Sequence, residues 1–275
     1  MTIATATITT GAIPFVLLCI ALCVWSVAQA ADARQDHVGL PLPEYTTGEE
    51  CLFCHRNDVG PAWLQTSHAW TTRPAGQPPV VEKLPSDATH VIGGVNAYMA
   101  LKQVAYGRVA LHSAKDNTWQ SGVFEQRCAG CHTTGVDPTT LRYSTPGLDC
   151  VVCHGLVAPE HSSNGALAWL GKKHTGSARR KEAICAQCHL RGGQSRSTKR
   201  PYPNNFVAGD DLFADFQVDF SQTATLDKND THSYVKTRAV LSGESNRTCM
   251  DCHKIHVPPS HRQRDPQLHS AVCGY

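Results

Sequence analysis

Residues 128–154 read CAGCHTTGVDPTTLRYSTPGLDCVVCH. Two copies of Cys-x-x-Cys-His stand in this one stretch, at Cys128, Cys131 and His132 and at Cys150, Cys153 and His154. Three more lie outside it: Cys51, Cys54 and His55; Cys185, Cys188 and His189; Cys249, Cys252 and His253. The spacing suits covalent haem attachment. Two thiols separated by two residues can add to the two vinyl groups of one porphyrin, and the adjacent imidazole then points at the iron. The intervals between motifs are irregular, which excludes a solenoid of fixed repeat. Zinc explains less, because a zinc ribbon needs two Cys pairs on one ion and no His after every second Cys. Disulfides within such short loops would leave five histidines unexplained.

The expected cofactor is therefore haem c, five per chain, bound through Cys51, Cys54, Cys128, Cys131, Cys150, Cys153, Cys185, Cys188, Cys249 and Cys252. His55, His132, His154, His189 and His253 are the expected proximal ligands. Ten histidines remain: His37, His68, His90, His112, His161, His174, His232, His256, His261 and His269. Methionine is scarce outside the initiator, with Met99 and Met250 alone, so bis-His, low-potential irons are expected. Proximity to the motifs puts His68, His161 and His256 first as distal ligands, followed by His232 and His174, and the other five as non-ligands.

The chain has 275 residues, 41% hydrophobic and 17% charged, which fits one medium domain and argues against intrinsic disorder. The first 30 residues form a segment of another kind. An apolar run from about Ile13 to Val27 leads to Ala28-Gln29-Ala30, a small-residue cleavage pattern, although no Lys or Arg precedes it. Residues 1–30 are read as an export signal or, if uncleaved, a membrane anchor, and residues 31–275 as the haem-binding domain. Export agrees with the chemistry, since c-type maturation takes place outside the cytoplasmic membrane; a periplasmic or extracellular location is expected. At the other end Cys273-Gly274-Tyr275 would begin a sixth motif, so the chain is expected to be truncated there.

Proline and glycine interrupt residues 76–85, 138–147 and 192–209, and helical stretches are expected over 94–103 and 178–186. The fold class expected is mainly α with much irregular structure, organised around covalently bound haems that supply apolar bulk for the interior. The formal charge of +2 omits the cofactors. Five ferric bis-His haems with ionised propionates would bring it to about −3, which argues against a nucleic-acid partner. Lys172, Lys173, Arg179, Arg180 and Lys181 then read as a face for propionates or for a redox partner. In a domain of this length five haems would lie with edges about 10 Å apart on average. The neighbouring motifs at Cys128 and Cys150 are expected to make the tightest contact.

From Cys51 onward the sequence resembles the cytochrome c-554 family of multihaem c-type cytochromes. The resemblance is carried by Cys51-Leu52-Phe53-Cys54-His55 with Trp63 and Ser67-His68-Ala69, by Val91-Ile92-Gly93-Gly94, and by Cys128-Ala129-Gly130-Cys131-His132-Thr133-Thr134-Gly135. It continues through Gly147-Leu148-Asp149-Cys150-Val151-Val152-Cys153-His154-Gly155, Ile184-Cys185-Ala186-Gln187-Cys188-His189, Gly209-Asp210-Asp211-Leu212 and Cys249-Met250-Asp251-Cys252-His253-Lys254-Ile255-His256. It implies distal roles for His68, His161 and His256. Val240-Leu241-Ser242-Gly243 departs from the pattern, lacking a histidine that relatives often carry there. The function implied is electron relay between redox proteins in a periplasmic or extracellular respiratory chain. The alternative is an oxidoreductase acting on a small nitrogen or sulfur compound at an iron with an open distal position.

Overall fold

A computed structural model describes residues 48–256 apart from 95–96, 158, 172–175 and 204–205. These residues all belong to one compact unit, Asp36–Tyr275. The export segment, His37, His174, His261, His269 and the Cys273-Gly274-Tyr275 end lie outside the described residues.

The expectation of a mainly α chain is not confirmed, because an antiparallel meander stands beside the helices. Five strands, β1 (Thr72–Pro74), β2 (His90–Gly93), β3 (Tyr98–Ala105), β4 (Arg108–Ser113) and β5 (Thr118–Ser121), pair strictly in chain order. The helix expected over 94–103 is thus a strand. Ala100, Leu101, Lys102 and Gln103 are good helix formers, but they sit between two pairing edges, with Leu101 opposite both His90 and Leu111. Ladder bonds on both sides, together with burial of Val91, Ile92, Leu101 and Val109, outweigh local propensity. Gly107 makes the β3–β4 turn. Its φ is +64°, and a Cβ there would meet the Tyr143 carbonyl oxygen at 2.4 Å.

Ile92, Leu101 and Val109 bury one face of the sheet against Phe124, Ala129, Val136 and Tyr143. Phe124 lies on α1 (Val123–Arg127) and Ala129 on α2 (Ala129–His132), so the sheet packs directly on the second motif. The two-stranded pair β6 (Thr133–Thr134) and β7 (Thr145–Pro146) then returns the chain to α3 (Cys150–His154), the third motif.

A second core is helical. The expected helix over 178–186 forms as α4 (Ala178–His189), begun by a Ser177 N-cap whose hydroxyl accepts from the Arg180 N–H. Its Ala183, Ile184 and Ala186 pack with Leu212, Phe216 and Tyr234, the last carried by α5 (Lys228–Leu241). Short helical turns hold the remaining motifs, Gly48–His55 for the first and Cys249–Asp251 for the fifth. Among the described residues no helix is long and apolar enough to cross a membrane.

Candidate haem-binding centre

The first four motifs close a helix or helical turn with their histidine, and burial is deepest for His132, His154 and His189, whereas His55 is partly exposed and His253, just past the Cys249–Asp251 turn, is exposed. Part-buried backbone acceptors orient two of these rings. His154 Nδ1 lies 2.5 Å from the Trp169 carbonyl oxygen, and His132 Nδ1 lies 3.1 Å from that of Thr71. His55 Nδ1 lies 2.9 Å from the Asp58 carboxylate. A partner on Nδ1 fixes the tautomer and leaves Nε2 as the ligating atom.

Four of the five motif histidines face a second histidine ring. The centroid separations are 6.1 Å for His55 and His161, 5.9 Å for His154 and His256, 6.1 Å for His189 and His68, and 6.5 Å for His253 and His232. An ion bonded to two opposed imidazoles at about 2 Å each holds the ring centres about 6 Å apart. The residues therefore fit an iron between the members of each pair. Burial lowers the pKa of His132, His154, His189 and His256 from the ordinary value, keeping them in the neutral form that binds metal.

His132 stands apart. Among the described residues no second imidazole faces it, and its ring is held by Thr71 alone. His90 and His112 are engaged elsewhere. His90 Nδ1 contacts Thr89 Oγ1 at 3.0 Å, whereas His112 Nε2 lies 3.1 Å from Asn117 Oδ1 with its ring tilted against Trp119.

The sulfurs of different motifs also meet, though in an order that sequence distance did not suggest. Cys150 contacts Cys51 and not Cys128, Cys131 contacts Cys188, and Cys185 contacts Cys249. The Cys51 thiol is lowered to about 7 through its hydrogen bond with Cys150, and burial raises Cys153 to about 12. The second and third motifs are still linked by backbone, because the Gly147 N–H donates to the His132 carbonyl and the Asp149 N–H to Thr134 Oγ1.

The anticipated basic face is partly consumed by the fold. Arg179 donates to the Asp211 carboxylate at 3.0 Å and stacks on Phe213, while Arg180 donates to the Gly209 carbonyl. Lys172 and Lys173 lie outside the described residues. Trp63, noted in the sequence without a role, lies beside His68 and His256. Two further residues had escaped sequence reasoning: the Trp169 carbonyl receives His154, and Glu182 reaches the fifth motif. Neither has a signal in one dimension.

These features fit a c-type cytochrome site with several haem positions. Residues 95–155 match the family model described as cytochrome c554 and c-prime, and the chain resembles that family of multihaem c-type cytochromes. No curated protein matches the chain. Among solved structures it is similar to the outer cell wall cytochrome OcwA, at 22% identity and a TM-score of 0.43, over 64% of this chain and 45% of that one. It is also similar to an undecahaem cytochrome from the S-layer of Carboxydothermus ferrireducens, at 14% identity and a TM-score of 0.40, over 84% of this chain and 43% of that one. The chain thus spans less than half the length of either protein.

Proposed function

We propose that the chain carries five haems c, at the five Cys-x-x-Cys-His motifs, and relays electrons between redox partner proteins outside the cytoplasmic membrane. The observation that carries this reading is the set of four paired imidazoles, each joining one motif histidine to one non-motif histidine at 5.9–6.5 Å. Bound haem supplies one-electron chemistry through its iron. The chain's own part is to hold two imidazoles at each of four positions, which favours low-spin, low-potential iron.

Contacts between motifs support relay. The sulfur contacts join the first motif to the third, the second to the fourth and the fourth to the fifth, and burial of Cys153 beside Cys185 connects the third to the fourth. All five are therefore linked in one network. Export is supported by the N-terminal apolar run and small-residue pattern, and it is where redox partners would meet the chain.

The test is purification from a host that matures c-type cytochromes, followed by intact mass, haem-to-protein stoichiometry and electron paramagnetic resonance. Five haems with at least four low-spin bis-imidazole signals are expected. Free thiols or zinc at the motifs would overturn the proposal.

The second reading is an oxidoreductase in which one iron, such as that beside His132, has an open face and reacts with a small nitrogen or sulfur compound; His174, an expected distal ligand, lies outside the described residues. A high-spin signal accounting for one haem, with carbon monoxide binding after reduction and turnover of nitrite or hydroxylamine, would favour that reading. Five low-spin signals would remove it.

A further inference from the structure

Two glutamates, Glu125 and Glu182, occupy the same offset, three residues before the first cysteine of the second and fourth motifs, and both are fully buried. Their surroundings differ in charge. Glu125 has the Arg108 guanidinium 3.6 Å away, together with the Val109 N–H. Glu182 accepts from the Cys249 N–H at 3.0 Å, Thr237 Oγ1 at 3.1 Å and Cys249 Sγ at 3.1 Å. Among the described residues no Lys, Arg or His stands within ion-pairing distance of Glu182. Three groups able to donate, the Cys249 N–H, the Thr237 hydroxyl and the Cys249 thiol, converge on its two oxygens, an arrangement that can hold a carboxylate.

From this geometry we infer that Glu182 is a positioning and potential-setting residue for the haem at Cys249, Cys252 and His253, its uncompensated buried charge holding that iron at a lower reduction potential than its ligands alone would give. The inference rests on the proposed attachment of a haem at the fifth motif. Glu182 Oε1 lies against the sulfur through which that porphyrin would be bonded. Attachment removes the thiol proton but leaves the Cys249 N–H and the Thr237 hydroxyl on the carboxylate. A nearby negative charge stabilises ferric over ferrous iron, and burial weakens its screening. Glu125 provides the internal comparison, since Arg108 offsets its field.

The experiment is a spectroelectrochemical titration of holoprotein for wild type, Glu182→Gln, Glu182→Asp and Glu125→Gln, after intact mass has counted the haems in each. Glu182→Gln keeps the size and one acceptor oxygen but removes the charge. One component is expected to become about tenfold easier to reduce, which for a one-electron couple is about 59 mV upward. Glu182→Asp should stay near wild type, and Glu125→Gln should move its component less.

A fully loaded Glu182→Gln protein with unchanged potentials overturns the inference, as does an equal shift in Glu182→Asp. Loss of the same haem from both Glu182 variants also overturns it, in favour of a purely architectural role. If wild type itself carries no haem at the fifth motif, the proposed function fails first, and the mass measurement separates that outcome from the others.

Discussion

The Trp63 indole lies parallel to the His68 imidazole, with 6.3 Å between ring centres and 5° between planes, and it presents its face at 83° to His256 at 6.2 Å. One buried aromatic thus braces two histidines that face different motifs. Replacing it by alanine should cost about 3–5 kcal/mol of stability, the usual range for a buried Trp. It should also loosen two irons at once. Magnetic circular dichroism of Trp63→Ala holoprotein is expected to show partial conversion of two haems to high spin, and a spectrum identical to wild type would refute the bracing role.

Removing a single facing histidine should be more selective. His161→Ala and His256→Ala are each expected to convert one low-spin haem to high spin, those at His55 and His154 respectively, with the other signals intact. His90→Ala serves as the control, since its ring contacts Thr89, and should leave the spin states unchanged.

Gly130 lies between the cysteines of the second motif, where an added Cβ would come within 2.0 Å of the Tyr202 ring. Tyr202 is itself held, its hydroxyl donating to the Glu125 carbonyl. Gly130→Ala should therefore cost about 1–3 kcal/mol through overpacking. Thermal melting of the holoprotein checks this, and an unchanged midpoint would show that Tyr202 moves freely aside.

Acid sensitivity follows from the buried imidazoles. His132, His154, His189 and His256 have folded pKa values below the ordinary 6.5, so the unfolded chain binds more protons than the folded one as pH falls through that value. Their contribution to stability is complete above about pH 6.5 and declines below it. Iron binding acts in the same direction, because a protonated imidazole cannot ligate. Melting of the holoprotein is expected to fall between pH 7.5 and pH 5, before carboxylates such as Asp137, held below their ordinary value by hydrogen bonds from Thr140 and Thr139, begin to titrate. An equal midpoint at both pH values would contradict this.

The attachment motifs were legible because their chemistry is local: thiols, spacing and imidazole all fall within one turn of chain. The α4 helix was legible for the same reason, with Ser177 at its start and good helix formers behind it. The meander was not. Residues 98–105 carry helix-forming side chains, and only their long-range pairing with His90–Gly93 and Arg108–Ser113 makes them a strand. Sequence proximity does not say which sulfurs of different motifs meet. Cys128 and Cys150 are close along the chain, but the β6–β7 pair between them directs Cys150 to Cys51. His68, His161, His232 and His256 could be nominated by counting, but which motif each would face depends on the fold. The path of Glu182 to Cys249 was equally invisible, because it depends on α4 and α5 lying side by side.

The exchange of histidines between segments bears on biosynthesis. A polypeptide emerging amino end first presents His154 well before His256, and His55 well before His161. Each of those irons would pass an interval with one side exposed, able to capture the wrong imidazole from a neighbouring stretch. Early ligation that stays reversible until the late segments arrive would let each iron exchange a wrong partner for the right one.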